Sequence, residues 1–134
     1  MLEFKLQELI PRQISEFPKL IAGDPYYFVR WHSDLHGSLC LYYRFNSSDG
    51  VKILRKRVHL SEMRIALQHL RDYGTFDRSA YERICPKSSS SGPCGFTVLG
   101  RTFEALQIAS YSGKKGFVLT DVTKATKLLE ISPQ

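Results

Sequence analysis

No apolar run in this chain approaches the ~20 residues that a membrane-spanning helix needs. Its first residues, Met1-Leu2-Glu3-Phe4-Lys5, carry an acid early and lack the basic start and apolar block of a signal peptide. They read instead as the beginning of an amphipathic helix. Cysteine is scarce: Cys40, Cys85 and Cys94 make an odd count of three. No two of them form a C-x-x-C pair, which excludes a disulfide framework and a zinc-ribbon spacing. Free thiols in a reducing, cytoplasmic compartment are the expectation. The G-x-S-x-G elbow of a catalytic serine is absent. Ser91-Gly92-Pro93-Cys94-Gly95 lacks the lysine of a phosphate-binding P-loop. The sequence contains no internal repeat.

What is present fits one domain spanning residues 1–134. A length of 134 residues leaves little room for a second core, and a hydrophobic share of 43% excludes a largely disordered chain. The charge is uneven. Residues 1–50 hold five Lys and Arg against six acids, whereas residues 51–134 hold fourteen against seven, so the halves carry −1 and +7. The densest segment is Lys52-Ile53-Leu54-Arg55-Lys56-Arg57. A basic half beside a neutral one suggests a face that attracts polyanions.

The periodicity predicts an α+β fold. Leu2, Leu6, Leu9 and Ile10 recur at helical spacing until Pro11, and Ser15 with Pro18 and Leu20 suggests a second short helix. Residues 26–31 (YYFVRW), 38–45 (SLCLYYRF) and 51–59 are aromatic or β-branched and read as strands. The short turns between them, Asp49-Gly50 above all, imply a three-stranded antiparallel meander. Residues 60–73 form a helix with Ser61 as N-cap, a buried stripe of Met63, Ala66, Leu67, Leu70 and Tyr73, and Gly74 as the stop. Asp77 caps a shorter helix ending before Pro86, and residues 87–91 (KSSSS) read as a polar linker. Pro93 then opens a helix whose core side is Phe96, Leu99, Phe103 and Leu106. A strand–turn–strand follows over 108–119, and Asp121 caps a last helix over 121–134.

Three helices followed by a β-hairpin with a basic tip resemble a winged helix-turn-helix domain over residues 60–120. The string Phe96 to Leu106 running directly into the hairpin carries the resemblance. It implies that residues 93–107 are a recognition helix entering a major groove. Thr97, Arg101 and Glu104 would then share its polar face, Arg101 offering its donor fork to guanine. Thr102 would reach phosphate or a thymine methyl, and Lys114 and Lys115 would be wing residues. With Arg55, Arg57 and Lys87 these make the expected nucleic-acid-binding set, double-stranded DNA being the expected partner. Ser88 to Gly92 would offer hydroxyls and N–H groups to an anion.

Three other chemistries are weaker. His32-x-Asp34-x-His36 is a compact set of metal-capable side chains, but it lacks a fourth ligand, so neither a metal nor a cofactor is expected. Arg55, Arg57, His59, His69, Tyr42 and Tyr43 would suit a metal-independent ribonuclease of toxin type. The aromatic strand 26–31 would suit a protein–protein adaptor or a homodimer face.

Overall fold

The computed structural model describes residues 6–131. The expected N-terminal helix is α1 (Leu6–Leu9), and its Leu2 lies outside the described residues. The second helix expected near Ser15 does not form. Residues 16 and 17 are instead a short strand, β1 (Glu16–Phe17), paired antiparallel with Tyr27 and Tyr26. The cause lies far along the chain: the carbonyls of Pro18 and Lys19 both accept hydrogen bonds from Arg101, and Phe17 is fully buried. Tertiary partners here override a weak local preference.

The meander forms as the strand composition and the short turns predict. Strands β2 (Tyr26–Ser33), β3 (Leu39–Asn46) and β4 (Ile53–His59) are antiparallel neighbours, and β1 extends them to a four-stranded sheet in the order β1-β2-β3-β4. A bulge between Phe28 and Arg30 shifts the register of β2 against β3. Leu41, Tyr43 and Val58 point into the core, so the alternate residues form the outer face.

Helix α2 (Leu60–Tyr73) follows β4 without a loop. Its N-cap is His59, not Ser61, and no side chain caps it. Met63, Ala66, Leu67 and Leu70 are buried as expected, but Tyr73 is exposed. Gly74 closes the helix in the left-handed conformation, its N–H bonded to Leu70 O. Strand β5 (Thr75–Phe76) leads into α3 (Arg78–Ile84), where Asp77 caps Ala80 N as the sequence indicates.

The serine run is not a linker. Residues 86–91 form helix α4 (Pro86–Ser91), which lies along the open edge of β4. Ser91 Oγ accepts the N–H of Arg57 at 3.1 Å and Ser88 Oγ that of His59 at 3.0 Å. The Glu62 carboxylate takes the first N–H groups of α4, those of Lys87 at 3.0 Å and Ser88 at 2.7 Å. The anion at this helix start is therefore the protein's own buried side chain.

Helix α5 (Gly95–Ala105) begins two residues after Pro93 and runs through the centre of the core. Phe96, Leu99, Phe103 and Leu106 are buried, as expected. Its glycines have a packing role: a Cβ on Gly100 would collide with the Phe117 ring, and one on Gly95 with Tyr81 Oη and Val58. The hairpin consists of β6 (Ala109–Tyr111), a 3-10 turn (Gly113–Lys115) and β7 (Phe117–Leu119). Strand β7 also pairs with β5, giving a second sheet in the order β5-β7-β6. Helix α6 (Val122–Ile131) packs on α2, with Asp121 Oδ1 accepting Lys124 N at 2.9 Å. No helix among the described residues is long and apolar enough to cross a membrane.

Candidate nucleic-acid interface

The strand register sets the outer face of the meander row by row. Tyr27, Arg44 and Arg55 lie side by side, then Arg30, Tyr42 and Arg57, then His32, Cys40 and His59. Two tyrosines and four arginines thus make up the first two rows, with Tyr27 and Tyr42 each beside an arginine on the neighbouring strand. The Arg44 guanidinium lies over the Tyr27 ring, 4.4 Å from its centre, and Arg30 lies 6.0 Å from the centre of Tyr42. Arg57 Nη1 donates to Tyr42 Oη at 3.4 Å, which pushes the Arg57 pKa further up. Among the described residues, none of Arg30, Arg44, Arg55 and Arg57 has a carboxylate within ion-pair distance. Lys87 is exposed beside the third row and near His59.

That third row is closed rather than open. Asp34, on the turn between β2 and β3, accepts the N–H groups of His36 and Ser38 on Oδ1, both at 2.9 Å. The bond from Ser38, and then that from His36, holds its carboxyl below the usual aspartate range. Asp34 Oδ2 lies 4.0 Å from His59 Nδ1, and Cys40 Sγ lies 3.4 Å from the same nitrogen. Burial raises the Cys40 thiol and depresses His59. His32, Asp34 and His36, the compact set seen in the sequence, do not converge among the described residues. His32 turns its Nδ1 to Ser33 O, while Asp34 turns inward to residues distant in sequence.

The expected binding residues thus separate into groups. Arg55 and Arg57 share the sheet face, with Lys87 at its end. Lys114 and Lys115 are exposed on the 3-10 turn of the hairpin. The helix residues are elsewhere. Thr97 and Thr102 are buried, and Thr102 Oγ1 donates back to Val98 O at 2.7 Å. Arg101 is tied down, donating to Pro18 O at 2.8 Å, Lys19 O at 3.1 Å and Glu104 Oε1 at 2.6 Å. Glu104 Oε2 in turn accepts Tyr111 N at 2.9 Å. The polar stripe of α5 is a clamp joining the N-terminal segment to the hairpin. Thr97 and Thr102 are thus buried rather than presented to a groove, and Arg101 is engaged by the segment that follows β1.

The other expectations meet similar geometry. His59 is buried at the N-cap position of α2, while His69 lies ten residues further along that helix, roughly 15 Å away at 1.5 Å per residue. The two histidines do not form an acid–base pair. In the aromatic strand, Tyr26, Phe28 and Trp31 pack against the core, and Trp31 Nε1 donates to Ile10 O at 2.8 Å. Sequence reasoning missed Tyr27, Arg30 and Arg44. The available signal was the Asp49-Gly50 turn, which brings Arg44 opposite Arg55. Comparison with family models, with curated proteins and with solved structures gave no match.

Proposed function

We propose that this chain is a non-enzymatic nucleic-acid-binding protein that takes single strands on the outer face of β2, β3 and β4. The observation that carries this is the set of four guanidiniums that share one sheet face with Tyr27 and Tyr42 and have no carboxylate partner among the described residues. Guanidinium forks match phosphate oxygens, and tyrosine rings and stacked guanidiniums give bases a surface to lie on. A sheet presenting aromatics suits unpaired bases, whereas reading a duplex requires an element that fits a groove. With α5 buried, the expected duplex reader is not available.

The half from residue 60 to 120 is, in the same proposal, a winged-helix-like scaffold. Three helices feeding a hairpin support that likeness, as does the pairing of the hairpin with the strand after the first helix. Helix α4, inserted between the second and third helices, departs from it. The third helix serves as core, and the exposed lysine tip is secondary to the sheet face.

Anisotropy titrations with a single-stranded oligonucleotide and its duplex, at several salt concentrations, test the assignment. Single strands bind more tightly, and affinity falls with salt as counterions are released. Arg44→Ala with Arg55→Ala lowers the logarithmic salt slope by about 1.4, at ~0.7 per phosphate contact on a single strand. Lys114→Ala with Lys115→Ala leaves that slope unchanged. Absence of binding at low salt refutes the proposal. Duplex preference that is lost on removing the two lysines replaces the sheet face with the wing.

A further inference from the structure

We propose that Asp34, Cys40 and His59 form a binding site for a single zinc-type divalent cation. One oxygen, one sulfur and one nitrogen from these side chains lie within 4.8 Å of one another. Cys40 Sγ and Asp34 Oδ2 both address the same ring atom, His59 Nδ1, at 3.4 and 4.0 Å. A nucleophile relay needs the thiol and the acid on opposite nitrogens of the imidazole. Here all three converge on one point, as ligands do. Bonds of about 2.0–2.3 Å to O, N and S place tetrahedral ligand atoms roughly 3.3–3.7 Å apart, so small side-chain movements close the set.

The supporting shell is already built. Both N–H bonds to Asp34 fall on Oδ1, leaving Oδ2 directed at the imidazole. The His59 backbone is held by Ser88 Oγ, and Cys40 sits on a central strand. Hydrogen bonds to the ligands from their surroundings fix ligand orientation in this way in metal sites. Cys40 is fully buried yet is not part of the main hydrophobic cluster, which accords with a thiol placed for something other than packing. Thiolate, imidazole and carboxylate together favour zinc over magnesium or calcium. As the Sγ–metal bond forms, the thiol proton passes to solvent, and no electron is transferred. Three protein ligands leave the fourth position to water. The site departs from the sequence expectation because its ligands are spread over residues 34, 40 and 59.

The full chain, purified without a histidine tag and stripped with chelator, is titrated with Co²⁺ and then Zn²⁺. The expected result is one Co²⁺ per chain, with tetrahedral visible absorption and a near-ultraviolet thiolate charge-transfer band, both displaced by Zn²⁺. Cys40→Ser removes that band, while Cys94→Ser retains it. Asp34→Asn keeps the Oδ1 acceptor and hence the turn, and it weakens Zn²⁺ by more than about tenfold. No thiolate band in the unmodified chain, or unchanged Zn²⁺ affinity in a folded Asp34→Asn variant, overturns the site whether or not Cys40→Ser folds.

Discussion

The polar stripe of α5 and the outer face of the meander draw on similar side chains and put them to opposite uses. On α5, Arg101 meets two backbone carbonyls and a carboxylate, and its threonine neighbours are buried. On the sheet, Arg44 and Arg55 lie side by side, and neither has a carboxylate partner among the described residues. An arginine whose donors are filled by its own chain holds a fold together. An arginine left with water is available to a phosphate. Partner occupancy, more than residue type, separates the two regions.

The comparison breaks first if α5 is not core. Phe103→Ala, in the last turn of that helix and fully buried, is expected to cost about 3–5 kcal/mol in chemical denaturation. A loss below 1 kcal/mol would return the helix to the surface. Arg101→Ala is expected to cost about 1–2 kcal/mol, since it strips hydrogen bonds from the Pro18 and Lys19 carbonyls. It should leave nucleic-acid affinity intact. Arg55→Ala should do the reverse, with stability changed by no more than ~0.5 kcal/mol and affinity reduced. Parallel melts and titrations of the two variants read this directly.

On the core side of the same sheet, Tyr43 Oη is buried with no hydrogen-bond partner among the described residues. Tyr43→Phe removes an unsatisfied hydroxyl and should raise stability by roughly 1 kcal/mol. A loss of that size would mean that the hydroxyl is bonded after all.

The smallest effect is read with pH. His69, packed against Tyr73 and Phe76, has its pKa depressed by burial and then by Arg83, with Asp77 and Asp72 opposing. A histidine that ionises less readily when folded contributes stability that is fully present above its unfolded pKa of about 6.5. That contribution declines as pH falls from there through the folded value. Denaturation of the chain and of His69→Gln at pH 7.5 and 5.5 should show the shallower decline in the variant.

Local signals recovered much of this fold. The three long strands were legible because aromatic and β-branched residues cluster between turn formers. Helices α2 and α3 were legible through Gly74 and Asp77. Elements fixed by distant partners were not. Nothing near Glu16 and Phe17 announces Arg101, and nothing in the serine run announces the open edge of β4. The site followed the same division. Arg55 and Arg57 stand out in a basic alternating strand. Their neighbours Tyr27, Arg30 and Arg44 join them only through register, and a bulge in β2 alters that register. Cys40, Asp34 and His59 were each visible, but no linear spacing connects them.

The serines on β4 also bear on how this molecule behaves in a crowd. A sheet's last strand ordinarily leaves a row of backbone donors as a template on which another chain can extend the ladder. Here the donors of Arg57 and His59 are filled by Ser91 and Ser88, and the helix carrying them is anchored at its start by buried Glu62. A segment so rich in serine looks dispensable by composition. In place, it fills two of the edge donors that an added strand would need.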